Sequence, residues 1–295
     1  MTSYSSATLT FDVAYQVFTG YVDSLIVMVS TNCGATFTRL YAKGGTTLST
    51  AGSGSNNFVP TAAQWRTETI SLNGYVGQPG VIIQFENYNG FGNKLYIDNI
   101  NVSGNHLALS LNLTALVQGF YLSSGVMNAS VNPGTYPTLS DSITVELRSS
   151  VSPYSVLQST KALMQTNGTI SLNCTGTFYN TSCYFVLKHR NSLETWSAAP
   201  VLLNASSIFY DFTTSASQAY GSNLILSGGK YCLYSGDVNQ DGFIEAVDLA
   251  QIENKSQLFS TGYIVTDITG DRMVESEDYS LAENNGQLLL FVAKP

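Results

Sequence analysis

The chain has 295 residues, 44% of them hydrophobic and only 11% charged, so it can bury real cores and is not a disordered tail. Its formal charge of −8 sits entirely in the last sixty residues: 236–295 hold eleven acids and three bases, whereas 1–235 hold nine of each. The acidic balance and the lack of a basic patch argue against nucleic acid as a partner, and no apolar run approaches the roughly 18 residues of a membrane span.

The opening stretch, MTSYSSATLTFD, lacks the basic and apolar regions of a signal peptide. The expectation is that an export signal was removed, or that the chain is a piece of a longer protein. Short alternating segments follow: ATLTFDVAY, DSLIVMVS, ATFTRLYA, WRTETISL, GVIIQFENY and KLYIDNINV. Turn signals such as GG, GSGSNN and NGFGN separate them. Strands at this spacing predict a β-sandwich or jelly roll over residues 1–104. A short link, SGN, precedes a second series of strands from LALSLNLTAL to KYCLYS, predicting another β-sandwich over 105–235. The predicted class is mainly β, with a small helical module at the end.

Cysteine is sparse, at Cys33, Cys174, Cys183 and Cys232, and no CxxC occurs, which weakens zinc and redox readings. Cys174 and Cys183 flank a turn-like stretch and could bridge a hairpin; the alternative is buried free thiols. Two histidines far apart in sequence, His106 and His189, argue against a zinc hydrolase. The run KHRNSLETWS gathers Lys188, His189, Arg190, Glu194 and Trp196, but the reading preferred is structural: a strand end, with Trp196 capping the core. No nucleophile or acid/base constellation stands out, so the chain reads as non-catalytic.

From Gly236 the pattern changes to a repeat of thirty residues. GDVNQDGFIEAVDLAQIENKSQLF aligns with TDITGDRMVESEDYSLAENNGQLL. The first copy fits a calcium loop, whose oxygen ligands fall at positions 1, 3, 5, 7, 9 and 12. These are Asp237, Asn239, Asp241, the carbonyl of Phe243, Glu245 and Asp248, with Gly242 at the sharp turn of position 6. The second set is Asp267, Thr269, Asp271, the carbonyl of Met273, Glu275 and Asp278. It departs twice: Thr269 offers a neutral hydroxyl, and Arg272 replaces the glycine and brings positive charge near the site. Ile244, at position 8, is expected to point inward and pair with the other loop. Helices are predicted over 247–255 and 277–285, with Leu249, Ile252, Tyr279 and Leu281 in contact between them. Ca²⁺ would turn carboxylate repulsion into attraction, so binding and folding are expected to be coupled.

These tandem motifs, GDVNQDG…VDLA and TDITGD…SEDYS, resemble dockerin-type calcium repeats. More broadly, the chain resembles the C-terminal region of secreted multidomain proteins of Bacteroidota, in which a jelly roll, a β-sandwich and a dockerin-like end follow one another. The runs LTFDVAY…DSLIVMVSTNCGATFTRLYAKGG…WRTETISL, FENYNGFGNKLYIDNI and KHRNSLETWSAAP…YDFTTSASQAYG…YSGDVNQDG carry that likeness. It implies export by the type IX route, a secreted or cell-surface location, and a missing upstream part. It also implies that the first module binds glycans or packs on a catalytic domain, and that it holds a structural calcium. The oxygen-bearing candidates there are Asp12, Asn89, Asn93 and Asp98, against the alternative that Asp98 and Asn99 only satisfy backbone groups at a strand bend. Tyr88, Phe91, Tyr96 and Trp65 are candidates for a sugar platform, and for core. Asp23-Ser24-Leu25 and Asp141-Ser142-Ile143 resemble the short O-glycosylation motif of that phylum, marking Ser24 and Ser142.

Three functions are expected in order. The first is an extracellular calcium-binding module for adhesion, glycan binding or assembly with a protein partner or itself. The second is a structural subunit of a surface layer or filament. The third is the accessory end of a secreted enzyme, such as a protease, whose catalytic domain lies upstream. The repeat would dock on a partner in trans or fold back in cis as a clasp, the latter favoured by the short junction YCLYSG.

Overall fold

A computed structural model describes residues 1–54, 57–123 and 125–295. The fold is mainly β, with two α-helices among the described residues, and the chain divides into two compact units.

The first unit is Met1–Ala108 with the turn Thr175–Tyr179. Its strands are β1 (Tyr4–Ala14), β2 (Val17–Phe18), β3 (Ser24–Ser30), β4 (Thr38–Gly44), β5 (Ser53–Gly54), β6 (Arg66–Ser71), β7 (Ile82–Tyr88) and β8 (Tyr96–His106). Two three-stranded antiparallel sheets, β6-β1-β8 and β4-β3-β7, form its body. Alternation decides which side chains go inside, because successive strand residues face opposite ways. Ala7, Leu9, Phe11 and Val13 of β1 share one core with Leu25 and Val27 of β3. Phe11 meets Tyr41 and Phe85 edge-on, at ring distances of 5.6 and 5.2 Å. The last strand continues past 102 to His106.

The second unit is Leu109–Cys174 with Asn180–Pro295. Its strands are β9 (Leu109–Thr114), β10 (Tyr121–Ser123), β11 (Val126–Met127), β12 (Leu139–Ser149), β13 (Val156–Gln165), β14 (Thr169–Cys174), β15 (Ser182–Lys188), β16 (Thr195–Trp196), β17 (Val201–Leu202), β18 (Ser207–Asp211), β19 (Ile225–Ser227) and β20 (Lys230–Cys232). A curled sheet runs β16-β15-β12-β13-β14-β9-β18, with β17 also on β15. Only Met164 and Ile170 pair β13 to β14, so the sheet opens there. Leu111 and Leu113, Ile143, Val145 and Leu147, and Phe185 and Leu187 are buried. Trp196 is buried with Tyr184 and Val186, under the Arg148 guanidinium.

The bridge weighed between Cys174 and Cys183 is not formed; both are buried free thiols. They do not flank a hairpin, because β12 and β13 lie between β14 and β15 in the sheet. Burial pushes the Cys183 thiol up to about 12, with its neighbour Cys174 adding to the effect.

The same unit ends in α1 (Ala246–Gln257) and α2 (Ser276–Gly286). Asp248 and Asp278 accept the N-cap N–H of Glu245 and Glu275, which satisfies one orphan donor at each helix start. Val238, Ile252, Ile268, Val274 and Ala282 form the core between the helices; Leu249, Tyr279 and Leu281 pack on it.

Candidate metal centre

Each thirty-residue copy folds as a loop followed by a helix, and the two loops share one hydrogen-bond plan. In the first, Asp237 Oδ2 accepts the Gly242 N–H at 3.2 Å, and Asn239 Oδ1 accepts the Asp241 N–H at 2.8 Å. Asp241 Oδ1 accepts the Phe243 N–H at 3.0 Å. Asp248 reaches back from α1 and accepts three backbone N–H groups, from Val238, Asn239 and Glu245. In the second, Asp267 accepts from Gly270 and Arg272, Asp271 from Met273, and Asp278 from Ile268, Thr269 and Glu275.

Both loops put positions 4 and 6 in the left-handed region. The first uses Gln240 (φ 60°) and Gly242 (φ 92°); the second uses Gly270 (φ 75°) and Arg272 (φ 78°). The glycine lost at position 6 is thus regained at position 4. Packing gives a reason: a Cβ on Gly270 would lie 2.8 Å from the Phe120 ring. Arg272 keeps the turn and sends its Nη1 to the Val131 carbonyl, 3.4 Å away. The cation near the second loop is instead Arg190, with Nη2 3.9 Å from Asp267 Oδ2.

Ile244 is buried, but it does not pair with the other loop. Its N–H donates to Leu290 O, beyond α2, and the Val292 N–H returns to Gly242 O. The second loop repeats this with Val274 to Ser260 and Gly262 to Arg272. Each loop is therefore laced to the segment following the other loop's helix.

The electrostatics are those of gathered carboxylates. Burial and the Asp248 charge push Asp237 up to about 7. Burial, opposed by Arg190 and assisted by Asp278, pushes Asp267 up to about 6. Burial also raises Asp248 and Asp278, against their backbone hydrogen bonds. Asp237 is 2% exposed, and its Oδ1 has no hydrogen-bond partner among the described residues. A buried carboxylate oxygen without a donor is costly unless a cation meets it. The side chains and carbonyl assigned to the loop offer oxygen ligands, the type suited to a hard cation. No three acidic, histidine or cysteine side chains converge as a ready-made cage among the described residues. Asp241, Glu245, Asp271 and Glu275 stand exposed, while Asp237, Asp248, Asp267 and Asp278 are buried.

The repeat is fixed to the strands of its own unit. Asn191 Nδ2 donates to the carbonyls of Val265 and Asp267, and Asn128 Nδ2 to that of Thr269. Asn285 Nδ2 donates to Ser235 O at 2.6 Å and to Gln118 Oε1 at 2.7 Å. Arg190 is the hub: it pairs with Asp141 at 2.9 Å, donates to Ile264 O and Ser130 Oγ, and lies over the rings of Phe120 and Tyr263. Tyr263 donates to Asp141, and His189 Nε2 lies 3.2 Å from the same carboxylate. Sequence reading placed Arg190 at a strand end and missed this role; a charged pair of residues next to a buried histidine was the only signal.

In the first unit the four oxygen candidates are not brought to one point. Asp12 accepts from Thr67 at 2.5 Å and from Asn99 at 2.8 Å. Asn89 caps the Phe91 N–H, Asn93 the Phe58 N–H, and Asp98 the N–H of Asn99. Asp23 organises that turn instead: it is buried and accepts from Gly90, Gly92 and Tyr15. Tyr96 and Trp65 pack edge-on, half-buried, whereas Tyr88 and Phe91 are exposed. Ser24 and Ser142 lie within strands β3 and β12, half-buried. The chain matches no family model and no curated protein.

Proposed function

We propose that residues 236–295 are a dockerin-like calcium module and that the chain is a non-catalytic, secreted or cell-surface module serving adhesion, glycan binding or protein assembly. The observation that carries this reading is the duplicated loop with a shared hydrogen-bond plan and, in the first copy, a buried Asp237 oxygen lacking a donor. Asp237, Asn239, Asp241, the Phe243 carbonyl, Glu245 and Asp248 would hold the first ion. Asp267, Thr269, Asp271, the Met273 carbonyl, Glu275 and Asp278 would hold the second, more weakly, since Thr269 is neutral and Arg190 already faces Asp267. Bound calcium supplies the positive charge that lets these carboxylates share a small space. The chain's own side chains set the loop turns and fasten the repeat to the neighbouring strands, so the clasp acts in cis.

Calcium titrated into chelator-treated protein by calorimetry tests this. Two sites of unequal affinity are expected, with the tighter one lost in Asp237→Asn. Absence of both binding heat and any chelator-dependent shift in melting would end the calcium reading.

A second reading, a structural subunit of a surface layer or filament, draws support from β8. That strand is eleven residues long, sits at a sheet edge and exposes Ile100 and Val102. Ordered assemblies under electron microscopy would favour it; a monomer that binds glycans would favour the first.

A further inference from the structure

The first unit has one guarded flank and one open flank. On the guarded side, Lys43 of β4 and Arg66 of β6 both meet Glu68 of β6 at 2.7 Å, so charge ties the edges of the two sheets together. The opposite edges belong to β7 and β8. β8 carries no Lys, Arg or Pro to protect it, and among the described residues no strand lies along its outer edge.

Pairing with β1 sorts the side chains of β8 by face, because residues opposite one another share a face. Val102 stands opposite buried Leu9, on the core side, yet it is 49% exposed, and Ile100 beside it is 55% exposed. Every residue from Asp98 to His106 is exposed. The outer face holds Asp98, opposite Asp12, and His106, opposite Tyr4. These are the strand's one acid and one histidine, near its two ends. Asp98 Oδ1 accepts the Asn99 N–H at 2.7 Å, and its second oxygen can take another donor. His106 stacks on Tyr4, ring centroids 4.3 Å apart, with Nδ1 3.3 Å from Ser3 O, so Nε2 is the nitrogen available to a carboxylate.

A strand that pairs antiparallel with its own copy brings its two ends together. Centred on Val102, that pairing brings each Asp98 to His106 of the other copy, sets Val102 against Val102 and Ile100 against Gly104. We infer that β8 is the seam of a two-fold dimer, joining the β6-β1-β8 sheets of two copies into one continuous sheet. The axis, perpendicular to the sheet, keeps Ile100 and Val102 of both copies on one face, where they cover each other. Two Asp98–His106 pairs on the outer face fix the register. This rests on the assembly reading of β8 above and goes beyond it by naming the partner, the symmetry and the register.

The test is sedimentation of the full chain over a concentration series. Wild type is expected to pass from monomer to dimer. Val102→Lys should remain monomeric, because it sets two ammonium groups opposite each other at the axis. Asp98→Lys and His106→Glu should each weaken the dimer about ten-fold, by making two exposed ion pairs repulsive. An equimolar mixture of those two variants should regain wild-type affinity, since each supplies the charge the other lacks; a variant that had merely unfolded could not do so. The inference is overturned if wild type stays monomeric throughout, if Val102→Lys dimerises as wild type does, or if the mixture associates no better than either variant alone. Ordered assemblies that persist in Val102→Lys would overturn the β8 seam and leave the surface-layer reading standing. A monomeric wild type that forms no ordered assemblies ends both.

Discussion

At Asp141, burial and charge pull in opposite directions. Burial disfavours the ionised form, but His189, Arg190 and Tyr263 outweigh it and hold the carboxyl well below the usual carboxylate range. A folded-state pKa below the unfolded value contributes stability that is present above the unfolded pKa, about 3.9, and lost as pH falls below it. Melting followed from pH 7 to pH 3 should therefore show the second unit losing stability below about pH 4, and Asp141→Asn should flatten that loss. Arg190 is the complementary test. Arg190→Ala leaves Asp141 short of its closest cation, and a cost of about 3 kcal/mol is expected in denaturant unfolding. Asp248 has a structural role besides any metal: it accepts three N–H groups, so Asp248→Ala should lower chelator-state stability by about 1–3 kcal/mol. That loss, measured without calcium, separates loop architecture from ligation.

The helices of the repeat end in the same unusual way. Phe259 (φ 48°) and Leu289 (φ 53°) follow α1 and α2 in the left-handed region, thirty residues apart, where glycine is the ordinary choice. Phe259 is 86% exposed, so its ring makes little packing that would repay the strain. Phe259→Gly should stabilise the second unit by about 0.5–1 kcal/mol by urea titration, since relief of the backbone outweighs the entropy added to the unfolded chain. These elements were largely legible from sequence. The acidic periodicity located both loops, and the apolar positions Leu249, Ile252, Tyr279 and Leu281 do meet between the helices. The lacing was not legible. Backbone pairing of Ile244 with Leu290 joins segments 46 residues apart, and nothing in the side chains announces it.

For the whole molecule, the division into two units leads to a prediction about heat. Calorimetry should resolve two transitions, of which only the one for 109–174 with 180–295 rises when calcium is added, because ligand that binds the folded state alone stabilises that unit alone. A calcium shift in both transitions would place a further site in the first unit. The sequence by itself determined the mainly β class, the thirty-residue repeat, its helices and the types of oxygen donor available. These follow from local rules: alternation, turn residues and ligand spacing. Tertiary structure decided what those rules leave open. It left Cys174 and Cys183 as free thiols on strands that are not hairpin partners, moved a glycine from position 6 to position 4 to clear Phe120, and made Arg190 the fastening between strands and repeat. Each depends on which distant segment comes to lie alongside, and that is set by packing and charge compensation across the fold and not by the residues next door.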